Sequence, residues 1–215
     1  MAYQLPDGAT VNIGTAFGTP IAVTGISNAN PAVVSATAHG LTNGTLVTVK
    51  SGWNRINDRV FRVANAAANT FQLEGVDTTD TTQYPVGGGA GSVIPDTTFM
   101  QVAQVISFDV SGGDPQFTTV SFLEDNFDRQ LFTTFSATSI AMTIAFDPAG
   151  PGYLAALAAS RSRSFRPVTL NLPNGARVLY YGQINVNESP TVAKGQVMQT
   201  RINISLSGLP VIYLS

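Results

Sequence analysis

Residues 137–206 read ATSIAMTIAFDPAGPGYLAALAASRSRSFRPVTLNLPNGARVLYYGQINVNESPTVAKGQVMQTRINISL. In 137–146, Ile140, Met142, Ile144 and Phe146 alternate with Ala141, Thr143 and Ala145. A period of two is the signature of a half-buried strand. Asp147-Pro148 ends it. Pro151-Gly152 opens a short helix in which Leu154, Leu157 and Ala158 are the expected apolar positions. A second strand over 165–172 leads to Pro173-Asn174-Gly175-Ala176, a hairpin turn because Asn-Gly tolerates positive φ. Strands over 177–186 and 196–206 return. The expectation is a sheet with one helix across its apolar face.

Working outward, residues 9–17 predict a first strand with Val11 and Ile13 on one face, broken by Gly18-Thr19-Pro20. Residues 21–95 read as a separate small β unit. Its strands are expected at 21–26, 32–36, 46–49, 59–64 and 70–73, separated by turn signals such as Thr42-Asn43-Gly44. The Gly-rich run 84–96, YPVGGGAGSVIPD, lacks the Lys-Ser/Thr and helix of a phosphate loop and is read as a flexible return linker. Residues 99–110 resume the main sheet. Residues 116–130, QFTTVSFLEDNFDRQ, are polar with spaced aromatics, too much apolar area to leave in water.

Among 215 residues 44% are hydrophobic and only 11% charged, well below the usual quarter. Such a surface suits either a β domain with an uncharged skin or a subunit that hides much of itself in an assembly. A net charge of −2 argues against sequence-independent nucleic-acid binding. No cysteine is present, so no disulfide framework or thiolate metal site is expected. The N-terminal residues show no apolar signal region, and no run approaches the roughly 20 residues of a membrane helix. A soluble protein with no membrane partner, made in a cytoplasm, is the expectation.

Chemistry-bearing residues are few. His39, the single histidine, lies in the turn AHGLTNGT without an activated Ser near it in sequence, and a turn-stabilising role is favoured over a Ser-His-Asp site. Glu124, Asp125 and Asp128 could hold Ca²⁺ or do acid–base work, but the spacing is not that of an EF-hand. A solvated or interface loop is favoured, with Arg129 or a neighbouring chain's Arg as partner. Arg161 suits a helix C-terminus. Arg163 and Arg166 are candidates for ion pairs between subunits. Trp53, the single tryptophan, could stack on a sugar from an exposed loop, or plug the small unit's core.

FDPAGPGYLAAL, PVTLNLPNGARVLYYGQINV and VMQTRINISLSGLPVI together resemble the major tail tube proteins of long-tailed, non-contractile bacteriophages. TGISNANPAVVSATAHGLTNGTLVTV and VANAAANTFQLEGVDTT resemble a recurrent small β-barrel decoration of phage structural proteins. The resemblance implies a mainly β fold, a tail-tube-type β-sandwich or barrel with one short α-helix, formed by 1–20 and 96–215, with a small β-barrel inserted over 21–95. It implies hexameric rings that stack into a tube for DNA delivery, with no enzymatic role and no cofactor or metal. Implied partners are further copies of the chain, the tape measure protein, the tail terminator and tail tip proteins, and double-stranded DNA in transit. In a closed ring Ala141, Thr143, Ala145, Gln199, Arg201, Asn203 and Ser205 would face the bore, with Arg201 offset by an acid such as Asp109. Phe117, Phe122, Glu124, Asp125, Phe127, Asp128 and Arg129 would meet a neighbouring subunit. A carbohydrate- or host-binding module, and the tube of a contractile system, stand as alternatives. An enzyme is the weakest reading, since no nucleophile–base pair or cofactor loop is visible.

Overall fold

The structure is a computed structural model and describes residues 7–124 and 126–214. In chain order the strands are β1 (Thr10–Phe17), β2 (Ile21–Val23), β3 (Gly25–Ile26), β4 (Ala32–Ser35), β5 (Leu46–Ser51), β6 (Arg59–Ala64), β7 (Thr70–Leu73), β8 (Gly91–Val102), β9 (Val105–Ser111), β10 (Pro115–Val120) and β11 (Arg129–Phe135). Then follow β12 (Ser139–Ala145), the helix α1 (Pro151–Ser162), β13 (Phe165–Asn171), β14 (Arg177–Val186), β15 (Gln199–Leu206) and β16 (Val211–Tyr213). The fold is mainly β. One antiparallel path runs β3-β4-β7-β6-β5-β8-β1-β13-β14-β15-β12-β9, while β10 and β11 form a sheet of their own.

The hairpin predicted at 173–176 joins β13 to β14: Leu172 N–H donates to the Ala176 carbonyl at 2.8 Å, and Gly175 takes φ +87°. The long strand expected over 99–110 is instead broken. β8 ends at Val102, Gln104 turns left-handed at φ +58°, and β9 begins at Val105. Five strands separate these two in the hydrogen-bonded order, yet only Ala103 and Gln104 join them. Two residues span about 7 Å. The sheet therefore curls until its β8 and β9 borders approach. Its inner face carries one core, including Ile13, Val102, Ile140, Met142, Ile144, Ile184, Ile202 and Ile204.

Helix α1 closes that core, with a face other than the one expected from Leu154, Leu157 and Ala158. Gly152, Tyr153, Ala156 and Ala159 are buried, whereas Leu154 is 48% exposed, Ala158 is exposed and Leu157 is only partly covered. The helix lies so close to β8 that its smallest residues must face the sheet. A Cβ on Gly152 would sit 2.4 Å from the Gln101 carbonyl oxygen.

A second core, including Val34, Val47, Phe61, Phe71, Leu73 and Val93, lies within residues 23–93, with Val211 packed at its margin. Trp53 plugs it: 2% exposed, its indole N–H donates to the Pro85 carbonyl at 2.9 Å, and Tyr84 meets it edge-on at 5.2 Å. Burial removes the sugar-stacking reading of this tryptophan. His39 secures its turn, accepting from Leu41 N–H at Nδ1 (3.0 Å) and facing the Thr70 carbonyl with Nε2 (3.2 Å). With Nδ1 accepting, Nε2 carries the proton and donates.

The run 84–96 is not a flexible linker. Gly88 and Gly89 lie against the Trp53 ring, and β8 starts at Gly91. β8 belongs to both cores. Its first half pairs with β2 and with β5, the latter from Ser51↔Gly91 to Val47↔Pro95, and its second half pairs with β1, from Phe17↔Asp96 to Val11↔Val102. Where the chain enters and leaves the small unit, Gly18 N–H donates to the Pro95 carbonyl at 2.8 Å. A third cluster, Leu46, Val60, Leu179, Tyr181 and Tyr213, seals the seam between the two.

Candidate assembly surfaces

Strand alternation on β12 and β15 sends Ile140, Met142, Ile144, Ile202 and Ile204 inward. The other face carries Ala141, Thr143, Ala145, Gln199, Arg201, Asn203 and Ser205, the residues marked as lumen-facing in sequence; Arg201, Asn203 and Ser205 are exposed and the rest half-buried. The register makes this face wider than the sequence suggested, because β9 and β14 continue it. Three rows cross the sheet: Ser111–Ser139–Ser205–Gln183, Asp109–Ala141–Asn203–Asn185, and Ser107–Thr143–Arg201. Ser107, Ser111, Ser139, Gln183 and Asn185 were missed. The alternation of Gln183 and Asn185 with Ile184 and Val186 was the available signal, but nothing in it says which strand lies beside which.

Within these rows Arg201 is the cation and Asp109 the anion. They do not pair. Arg201 sits on β15 and Asp109 on β9, with β12 between them and in different rows, and the Asp109 carboxylate accepts from the Ser107 hydroxyl at 3.0 Å. The expected Arg201–Asp109 offset is thus absent in the single chain, because two strand spacings, roughly 10 Å, separate them.

The second surface is the hairpin β10–β11, paired from Pro115↔Phe135 to Val120↔Arg129. The sequence marked 116–130 as polar with spaced aromatics but did not resolve the strand that ends at Phe135. Phe117 stacks edge-on against Phe132 at 6.1 Å, and Phe132 against Phe135 at 5.1 Å. None of the hairpin's apolar side chains belongs to a buried core: Phe117, Phe122, Phe127, Leu131, Phe132 and Phe135 are all about half exposed or more. Glu124, Asp128 and Arg129 are exposed; Asp125 lies outside the described residues. Among the described residues no group of His, Asp and Glu could hold a metal ion.

Within the basic run, Arg166 departs from its inter-subunit reading. Arg166 is held within the chain: it donates to the Ser164 hydroxyl at 3.0 Å and the Thr15 carbonyl at 3.2 Å, and lies over the Phe17 ring at 5.0 Å. Arg163 caps α1 in the left-handed region, φ 51°. Arg161, in the last helical turn as expected, also forms a two-pronged bridge to Glu188 (2.9 and 3.2 Å). That contact raises the Arg161 pKa and lowers that of Glu188. Both are exposed, so the bridge adds little stability.

No curated protein matches the chain. Among solved structures it is similar to a chain of the virion of a native gene transfer agent particle, at 14% identity and TM-score 0.42, over 54% of this chain and 88% of that one. It is similar to a chain of the tail of the empty gene transfer agent particle with C6 symmetry (12%, TM-score 0.42, 54% and 87%). The baseplate of the anti-feeding prophage holds a further similar chain (11%, TM-score 0.41, 54% and 85%). The family model described as phage tail tube protein matches residues 51–215, about three quarters of the sequence, and the chain therefore belongs to the phage tail tube protein family.

Proposed function

We propose that this chain is the tube subunit of a long-tailed, non-contractile bacteriophage, closing into hexameric rings that stack around a bore for DNA delivery. Family membership places it among structural proteins of the virion tail. The observation that carries the finer reading is the broad polar face of β9, β12, β15 and β14, backed by a continuous apolar core. Small neutral side chains suit a conduit, because each Lys or Arg–phosphate contact would add salt-sensitive grip on passing DNA. The exposed border strand β9 would pair with a neighbour, removing an open edge that otherwise invites aggregation. Hairpin residues Phe117, Phe122, Glu124, Asp125, Phe127, Asp128 and Arg129 would meet an adjacent subunit. Residues 21–95 would stand outside the tube. Tape measure, tail terminator and tail tip proteins complete the partner set, with assembly in the host cytoplasm and no membrane contact. No catalytic role or cofactor belongs to this reading.

Negative-stain microscopy and light scattering of the purified protein test it. Rings or tubes growing with concentration are expected; a folded protein that stays monomeric at high concentration contradicts the proposal. The cysteine-free sequence permits a test of direction. With Asn203→Cys, a thiol reagent too bulky for the bore labels free subunits and spares assembled tubes. Rapid labelling along intact tubes would put this face outside.

A further inference from the structure

Asp96 sits on β8 at the point where the strand passes from the small unit to the main body. It is 6% exposed, and among the described residues its hydrogen-bond donor is one hydroxyl: Thr48 Oγ1, itself fully buried on β5, reaches both carboxylate oxygens at 3.1 and 3.2 Å. A buried carboxylate ordinarily needs a cation or several donors. The surrounding charges are committed elsewhere. On β5, Lys50 pairs with Asp58 of the turn before β6 and lies over the Tyr181 ring. On β13, Arg166 is held by Thr15 and Ser164. On β14, the Tyr181 hydroxyl is pushed up to about 12, by burial first and then by the charges of Asp58 and Asp96. On β16, Tyr213 donates to the Glu74 carbonyl and accepts from Arg62 N–H. Beside Asp96 on β1 stands Phe17, with no charge to offer.

We infer that the crossing between the small unit and the tube body is a proton-controlled hinge, closed while Asp96 is neutral and loosened when it ionises. The neutral acid suits a dry seam with one hydroxyl neighbour; the carboxylate draws water, and the least costly way to admit it is to part Thr48 on β5 from Asp96 on β8. Burial raises the Asp96 pKa from 3.8 to about 7, partly opposed by the Thr48 hydrogen bond. The sign follows. With its pKa raised in the closed form, Asp96 favours closure fully below about pH 4. That preference is lost as pH rises toward 7 and changes no further above it. If the opened form titrates near 3.8, the opening equilibrium rises about 100-fold between pH 5 and pH 8.

Amide hydrogen exchange on the full-length protein reads this directly. After division by the intrinsic exchange rate, protection of Gly18 N–H and of Arg62 N–H, which donates across the seam to the Tyr213 hydroxyl, is expected to fall about 100-fold from pH 5 to pH 8. In Asp96→Asn it is expected to stay flat. A flat wild type, or the same fall in Asp96→Asn, overturns the hinge. Should Asp96→Asn fail to fold, infrared absorption of the wild type decides: a protonated-carboxyl band persisting at pH 6 and vanishing by pH 8 supports it, and its absence at pH 6 refutes it.

Discussion

Phe132→Ser combined with Phe135→Ser is expected to yield a folded, soluble chain that no longer forms tubes. The hairpin β10–β11 pairs only with itself, and its rings lie in none of the three buried clusters. Replacing half-exposed side chains away from the core ordinarily changes stability by about 0.5 kcal/mol or less. An aromatic anchor at an interface is worth far more, about 2 kcal/mol or above. Two anchors amount to about 4 kcal/mol, which raises the concentration needed for assembly roughly 1000-fold. Thermal melting and sedimentation on the same preparation separate the two effects. Tubes at the wild-type concentration would remove the hairpin from the interface. A melting temperature lowered by roughly 10 °C would make it part of the core after all.

The second large effect is at Gly152. Helix propensity alone predicts that Gly152→Ala stabilises the chain by up to about 1 kcal/mol, since Ala is the best helix former. Packing predicts the opposite. The new methyl would lie 2.4 Å from the Gln101 oxygen and 2.6 Å from the Val102 Cα, both backbone atoms of β8 that cannot rotate away. α1 must then lift, loosening Tyr153, Ala156 and Ala159 from the main core. Overpacking of this kind costs about 1–3 kcal/mol, and more when backbone is the obstacle. A net loss of about 3 kcal/mol lowers the melting temperature by roughly 6–12 °C for a chain of this size. Gly25→Ala is the control: nothing lies within 4 Å of its added Cβ and its φ is not positive, so the melt should hardly move. An unchanged or raised melting temperature in Gly152→Ala would show that the helix does not need this close approach.

Local order was legible wherever it depends on neighbours in sequence. The alternation of Ile140, Met142 and Ile144 with Ala141, Thr143 and Ala145 determined two faces for β12, and Asn174-Gly175 determined the hairpin after β13. The strands of 21–95 and the structural role of His39 were equally readable. A period of two says which residues share a face, but not which strands stand side by side. Only the tertiary structure could therefore join Asp109 and Asn185 to the polar rows. It alone made β8 one strand shared by two cores, where the Gly-rich composition of 84–96 suggested slack chain. Helical phase likewise marked Leu154 and Leu157 as the buried side of α1, because large apolar residues normally give most on burial. The close approach of α1 to β8 at Gly152 turned the helix instead, burying Gly152, Tyr153, Ala156 and Ala159. Asp96 carries the same lesson. In Ile94-Pro95-Asp96-Thr97 it looks like an ordinary polar residue, and its charge becomes costly only because strands distant in sequence remove its water.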